Sequence, residues 1–401
     1  MFAVVLYGAQ WAIAIVSWVL LAVCFFLLVE TLAFLWPQRH GLFIAIADLK
    51  AAVVIPAHNE ALGLQKTIEP LLTLPYQIVV VADNCDDATA TVARSLGVTV
   101  LERQDAAKRG KGYAMDYGLS YLAQDQPDVV VFLDADCQVT ADGVMQLVQW
   151  AILAQRPVQA KYLMINPAAN AKQQLSAFAF KVKNQVRLQG LSRLGGAIVL
   201  AGSGMGFPWA TLQGMSLASG AIVEDMKLGI DLAIAGKPAV FCPAVTVTSD
   251  LPIHQGAAQS QRKRWEHGHL QSIQTYVPQL ISAAIRQRRW DLWLLAWDLC
   301  IPPLSLLVML WLVAWAGAAL LQLSQFWVPL AALPWGLNGF WILNGAGVCL
   351  LGAIGLAWLR VGRQDVSLGQ LLKVPFYVIG KLPLYLQFLT NPQQAWNRTE
   401  R

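Results

Sequence analysis

The sequence predicts an α/β domain, built on a mostly parallel sheet and embedded between membrane-spanning helices. Three observations carry that expectation. Short β-rich runs alternate with helical stretches between residues 51 and 250, polar clusters close several of those runs, and long apolar segments lie on both sides. With 56% hydrophobic and 13% charged residues, the chain is too apolar for one soluble domain and ordinary for a soluble domain flanked by membrane segments.

The first element is an anchor. Residues 1–29 carry no charge and the apolar stretch continues to Trp36, which is longer than a signal-peptide core and lacks a basic start. A spanning helix needs about 20 apolar residues, and the segments 11–36, 302–323 and 338–360 qualify. Arg39, His40 and Lys50 follow the first, Arg286, Arg288 and Arg289 precede the second, and Arg360 and Arg363 follow the third, while 324–337 carries no charge. That asymmetry turns the central domain to the cytoplasm, at the inner (plasma) membrane. The net charge of +5 is read as this topology and not as nucleic-acid binding, since no aromatic-basic array accompanies it. Six cysteines without a CxxC pair indicate neither a zinc site nor a disulfide framework.

Three units follow: an anchor and linker at 1–49, a cytoplasmic domain at 50–280, and an interfacial and transmembrane region at 281–401. Segment 367–389 is apolar but interrupted by Lys373, Pro375, Lys381 and Pro383, so it is expected to lie in the interface or re-enter. Residues 290–300 read as a second interfacial helix with Asp291 and Asp298 turned to water.

Within the central unit the strand-like runs are 52–55, 78–81, 98–101 and 129–133, separated by segments long enough for crossover helices. Ligands of such a sheet bind beyond the carboxyl ends of its strands. There the chain places Pro56 to Glu60, Asp83 to Asp87, and Asp134-Ala135-Asp136. Alternation along an extended segment puts Asp134 and Asp136 on one side, where they can hold a divalent ion against a diphosphate. Lys111 lies between Gly110 and Gly112, whose lack of a side chain lets phosphate approach the backbone and the ammonium. Each cluster has a plainer reading: a helix cap for the Asp pair, a turn for 83–87, a solvated surface for Lys111.

Taken in order, PAHNE (56–60), VADNCDD (81–87), GKGYA (110–114), DADC (134–137), VED (223–225) and QRKRW (261–265), which reads QxxRW, resemble the family-2 glycosyltransferases, inverting enzymes of the GT-A fold. The resemblance covers roughly residues 50–270. It implies that Pro56, His58, Glu60, Asp83, Lys111, Asp134, Gln261 and Arg264 bind the nucleotide and donor, with Asp83 on the base. It further implies a divalent metal, Mg²⁺ or Mn²⁺, on Asp134 and Asp136, and Asp225 as the general base. Gly202, Ser203, Glu224 and Trp265 would face the acceptor, with QxxRW on a loop that closes over the site. Val223 stands where many relatives have Thr, which leaves the base assignment in place.

The expected reaction is transfer of a sugar from a nucleoside diphosphate, a UDP-sugar first, to a lipid-linked or glycolipid acceptor in envelope or exopolysaccharide assembly. A processive polysaccharide synthase and a ceramide-glucosyltransferase-like enzyme are the neighbouring alternatives. A glycoside hydrolase needs two carboxylates but neither Lys111, Arg264 nor a DxD, and a non-catalytic membrane scaffold needs none of them. Oligomers and biosynthetic-complex partners stay open. Two features fall outside this scheme. Lys181, Lys183, Arg187 and Arg193 punctuate an apolar helical stretch, which reads as a face on the bilayer beside lipid head groups or as an ordinary solvated face. Trp396 to Arg401 resembles the WxxTxR ending of bacterial membrane transferases. His58, His254, His267 and His269 are too scattered for a metal set, and the last two are expected to pack or form local hydrogen bonds.

Overall fold

The computed structural model describes residues 2–37, 48–165, 170–219, 223–251, 255–324 and 338–390. Arg39, His40, His254, most of 324–337 and the WxxTxR ending lie outside those residues.

One eight-stranded sheet organises the middle of the chain. Strands β1 (Ala51–Ala57), β2 (Gln77–Asp83), β3 (Thr99–Arg103) and β4 (Val129–Phe132) run parallel. They are joined by β5 (Cys137–Gln138), β6 (Val158–Ile165), β7 (Met205–Pro208) and β8 (Val240–Asp250) in the order β3-β2-β1-β4-β7-β6-β8-β5. The four expected runs are therefore the four parallel strands. β7 runs antiparallel to both β4 and β6, so the sheet changes direction beside the strand that ends in Asp134. This is the α/β sheet expected from the sequence, parallel over β1–β4.

β1, β2 and β4 are buried on both faces, which is why they read as continuous apolar runs and not as alternating ones. On one face Val53, Ile55, Val80 and Val131 pack on α2 (Leu64–Ile68), α3 (Thr89–Ser95) and α5 (Ala141–Ala154). On the other, Val54, Val81 and Phe132 share a core with α4 (Lys111–Leu122). The chain then runs through α6 (Ala171–Lys181), a wide π-turn (Val182–Arg187) and α7 (Leu188–Arg193) without a break in helical backbone. Short α8 (Trp209–Leu212), α9 (Glu224–Ile234), the long α10 (Gln255–Gln287) and α11 (Trp290–Cys300) complete the domain.

Helices α1 (Phe2–Leu35), α12 (Leu304–Ser324) and α13 (Gly339–Ala357) pack together through Leu20, Leu27, Leu307, Leu343 and Leu350. Three stretches are long and apolar enough to cross a membrane: Tyr7–Leu35, Leu304–Leu323 and Gly339–Gly362. They coincide with the expected spans, and the protein is membrane-associated. Segment 367–389 folds as three short pieces, α14 (Leu368–Leu372), α15 (Val374–Ile379) and α16 (Leu382–Thr390), none long enough to span.

Two expectations change where the sheet domain meets the spans. Asp298 does not face water: it is buried and accepts from Arg187 Nε at 3.1 Å and Nη2 at 2.8 Å. In the basic stretch, Arg187 and Arg193 are on neither a bilayer face nor a solvated one. Arg187 also lies 3.5 Å from the buried carboxylate of Glu30 on α1, and Arg193 donates to Ala33 O at 3.1 Å and to Phe34 O, closing the carbonyl end of that helix. Gly190 lets the two backbones touch, since a Cβ there would lie 2.1 Å from Glu30 O. The sequence reads these side chains as surface because their partners lie more than a hundred residues away.

Candidate active site

The carboxyl ends of β1, β2, β3 and β4 open on one cavity of about 1310 Å³. At the end under β1–β3 the loops are cross-stitched. His58 Nδ1–H donates to Asp83 O at 2.7 Å, Asp86 N donates to Asn59 Oδ1 at 2.8 Å, and Asp105 N donates to Asn84 Oδ1 at 2.8 Å. Asn59 and Asn84 take positive φ, which Asn tolerates better than branched residues. Asp83 is buried, and its Oδ1 accepts from Arg103 Nη1 at 2.5 Å and Asn84 Nδ2 at 2.9 Å. Arg103, which also lies 5.5 Å over the Tyr113 ring, was not singled out from the sequence. It sits at the end of β3, the same kind of position that drew attention to Asp83 and Asp134.

Asp134 and Asp136 flank the middle of the cavity. Asp134 pairs with Lys111, whose Nζ also donates to Gly202 O at 2.6 Å. Asp136 accepts from Ser249 Oγ at 3.0 Å and from Cys137 Sγ at 3.7 Å. The ligand atoms of Asp134, Asp136 and Cys137 all lie within 4.8 Å of one another. Burial, then repulsion from Asp136 and Asp134, pushes the Cys137 thiol well up, and its Sγ donates to Asp136, an arrangement that favours the carboxylates as ligands. What remains is a pair of hard oxygen ligands, the donor set that suits Mg²⁺ or Mn²⁺.

The electrostatics support that fit. Burial raises Asp134, and repulsion from Asp136 and Asp225 adds to it, against the pull of Lys111. Lys111 is itself held protonated by Asp134, Glu224 and Asp225 in spite of burial. Burial and then Asp225 push Glu224 up to about 7. Lys111 thus answers three carboxyls while Asp136 repels Asp134 beside it, a crowding of negative charge that a divalent cation would relieve.

Glu224 and Asp225 open α9. Asp225 reaches Gly202, whose φ of +92° and missing side chain make room: a Cβ there would lie 3.2 Å from Asp225 Oδ2 and 3.8 Å from Lys111 Nζ. Gly202 and Asp225, 23 positions apart by residue number, thereby meet at Lys111. Ser203 corrects an expectation. It is fully buried behind the wall, taking a bond from Asp134 N at 3.0 Å, while Gln159 Nε2 donates to its carbonyl at 2.8 Å. Its service is to the position of Asp134 and not to an acceptor.

QxxRW also departs from expectation, because it lies in helix α10 and not in a loop. Gln261, Arg264 and Trp265 line the cavity, and the indole stacks on Phe180 at 5.5 Å. Pro56, Glu60 and Glu224 line it too. His267 and His269 behave as expected, bonded at Nε2 to Leu384 O and Leu299 O. Beyond Asp225 the cavity continues past the π-turn to Leu27, Ile301, Pro302 and Leu304 at the membrane helices.

The sequence profile described as "Glycosyltransferase like family 2" matches residues 49–268, more than half of the chain. The chain belongs to this family. It is a membrane-associated family-2 glycosyltransferase of GT-A type. It is similar to the probable glycosyltransferase YdaM of Bacillus subtilis, 24% identical over 61% of this chain and 60% of that one. It is also similar to the 4,4'-diaponeurosporenoate glycosyltransferase of Staphylococcus haemolyticus, 29% identical over 24% of this chain and 27% of that one. The match thus spans less than two thirds of either relative. Among solved structures it is similar to the mannosyltransferase PcManGT of Pyrobaculum calidifontis, solved with GDP-Man and Mn²⁺, at 16% identity, 89% and 98% coverage and a TM-score of 0.47. A second is the glucosyl-3-phosphoglycerate synthase of Mycobacterium tuberculosis with Mn²⁺, UDP and phosphoglyceric acid, at 21% identity, 58% and 84% coverage and a TM-score of 0.36.

Proposed function

We propose that this glycosyltransferase moves a sugar, with inversion, from a nucleoside-diphosphate donor, a UDP-sugar first, to a lipid-linked or glycolipid acceptor at the cytoplasmic face of the inner membrane. Envelope or exopolysaccharide assembly is the setting. The observation that carries the reading is the continuity of one cavity from Asp83 through Asp134, Asp136 and Asp225 to Leu27 and Leu304. A soluble acceptor needs no such exit between membrane helices.

Each residue then has a task. Asp83, held by Arg103 on one oxygen, keeps Oδ2 for the donor's base, and Pro56, His58 and Glu60 shape the nucleoside pocket. Asp134 and Asp136 hold a divalent ion, which when bound neutralises the charge growing on the departing diphosphate. Lys111, Gln261 and Arg264 pair with phosphate oxygens, while Gly202, Glu224 and Trp265 border the acceptor. Asp225 accepts the proton of the acceptor hydroxyl as its oxygen bonds to the anomeric carbon. The bond from that carbon to the diphosphate breaks, and the nucleoside diphosphate leaves on the opposite face. Ordering both substrates in one cavity supplies the orientation that a diffusing pair lacks.

The test is release of nucleoside diphosphate by the purified full chain in lipid, over a panel of nucleotide sugars, with and without Mn²⁺ or Mg²⁺. Metal-dependent release from one donor, lowered by about 10²–10⁴-fold in Asp225→Asn with donor binding intact, is expected. Normal turnover in that variant removes Asp225 from the base role, and a ladder of products under chase replaces single addition by a processive synthase.

A further inference from the structure

Where the cavity leaves Asp225 for the membrane helices, its wall is the π-turn Val182–Arg187. A π-turn widens the helix by one residue per turn and so displaces side chains from the positions that regular helix would give them; such turns gather at functional sites. Besides Arg187, two polar side chains on the turn, Lys183 and Asn184, line the cavity. Neither has a hydrogen-bond or ion-pair partner among the described residues.

The neighbouring cations are engaged. Lys111 is paired with Asp134 and is given above to the donor's phosphates. Arg187 is taken by Asp298 and Glu30. Lys381, on the membrane side, is bonded to Glu266 at 2.6 Å and Ser305 at 2.9 Å. Lys183 therefore keeps an ammonium directed to the cavity with no carboxylate at ion-pair distance. Burial, with Arg187 nearby, depresses its affinity for a proton, while Asp225 acts on it in the opposite sense. A desolvated, unmatched cation is costly to keep unless something anionic arrives to match it. Around it the wall is apolar, with Leu27, Val182 and Ile301.

We propose that Lys183, assisted by the Asn184 amide, is the specificity-determining anchor for an oxyanion on the acceptor, which is therefore an acidic amphiphile and not a neutral lipid. Its phosphate or carboxylate sits at the π-turn within reach of the atoms that meet Asp225, and its tail leaves past Leu27 and Ile301 toward the bilayer. This rests on the transferase reading only for the word acceptor, because the anion site itself is independent of the donor.

The experiment compares amphiphiles of equal tail on the full chain in a nonionic micelle, by calorimetry: dodecyl phosphate, laurate and dodecanol, with inorganic phosphate alone and UDP as further arms. Dodecyl phosphate or laurate is expected to bind about tenfold more tightly than dodecanol, the scale of one charge-assisted hydrogen bond, and the tighter of the two names the head group. Lys183→Gln removes that preference and leaves UDP binding within about twofold, and Lys183→Arg restores it. Equal binding of dodecanol overturns the proposal. So does inorganic phosphate matching dodecyl phosphate, since no tail is then read, and so does loss of UDP binding in Lys183→Gln, which places the lysine with the donor. If UDP fails to bind wild type while the anionic amphiphiles still depend on Lys183, the UDP donor of the proposed function falls and the anion site stands.

Discussion

Under β1–β3, Asp83, His58, Asn59 and Asn84 are each tied to a neighbouring loop before any ligand arrives, whereas at the π-turn Lys183 and Asn184 are tied to nothing described. One end of the cavity is preorganised and the other is left unsatisfied. A fixed lattice of hydrogen bonds suits a ligand part that never changes, as a nucleoside would be, since little ordering remains to be done on binding. Unmatched polar groups beside an apolar wall make discrimination instead, because a ligand lacking the matching charge leaves them buried and unpaired.

The largest effect expected to break this comparison is mechanical. Arg187→Met leaves Glu30 and Asp298 buried without their cation, and losing one partner of such a cluster costs about 3–5 kcal/mol. Thermal unfolding in detergent should show that loss. An unchanged midpoint would mean that the junction between span and sheet is held by apolar packing alone. Next comes Arg103→Met, which frees Asp83 and removes a charge-assisted bond worth about 1.5–3 kcal/mol. UDP binding should weaken by tenfold or more on that scale, with affinity for an anionic amphiphile unchanged; if both fall together, the two ends are not separate. Gly202→Ala is smaller, about 1–2 kcal/mol of backbone strain at positive φ, yet it pushes on Asp225, so turnover should drop while UDP binding holds.

The smallest effect reports on charge at the centre. Glu224 binds its proton up to about 7 in the folded protein, above an ordinary Glu value of about 4.3. The folded state therefore gains relative stability as pH falls from above 7 toward the unfolded value, and loses it as pH rises through 7. Glu224→Gln should raise the unfolding midpoint at pH 8 and leave it nearly unchanged at pH 4. The same variant should remove an inflection near 7 from the pH profile of turnover. A wild-type midpoint with no such pH dependence relative to the variant would show that Glu224 is not shielded from water.

How far the sequence was legible follows the same division. β1, β2 and β4 announce themselves because burial on both faces demands continuous apolar runs, whereas the half-exposed β3 shows only as a short β-rich run; the strand-end rule then delivers Asp83, Asp134 and Asp136 directly. β7 did not announce itself: Met-Gly-Phe-Pro has two of the poorest strand residues, and it pairs only because β4 and β6 enclose it. Ser203 was misplaced for that reason, since it lies just ahead of a strand that was not seen. The π-turn is invisible to any 3.6-residue periodicity, so Lys181, Lys183, Arg187 and Arg193 read as one stripe although they end in four different environments. Arg187, Glu30 and Asp298 come from three segments that only the folded chain brings together.

That triad also sets an order of assembly. Glu30 is made early, near the end of the first span, while the cation that answers it and the second carboxylate on that cation come from the middle and the last third of the chain. As the ribosome works, the anchor enters the bilayer carrying an acid whose counterpart does not yet exist. The contacts that Glu30 and Asp298 make with Arg187 can therefore form only after all three segments have been made. A truncated product ending before residue 187 would hold its anchor without the lock.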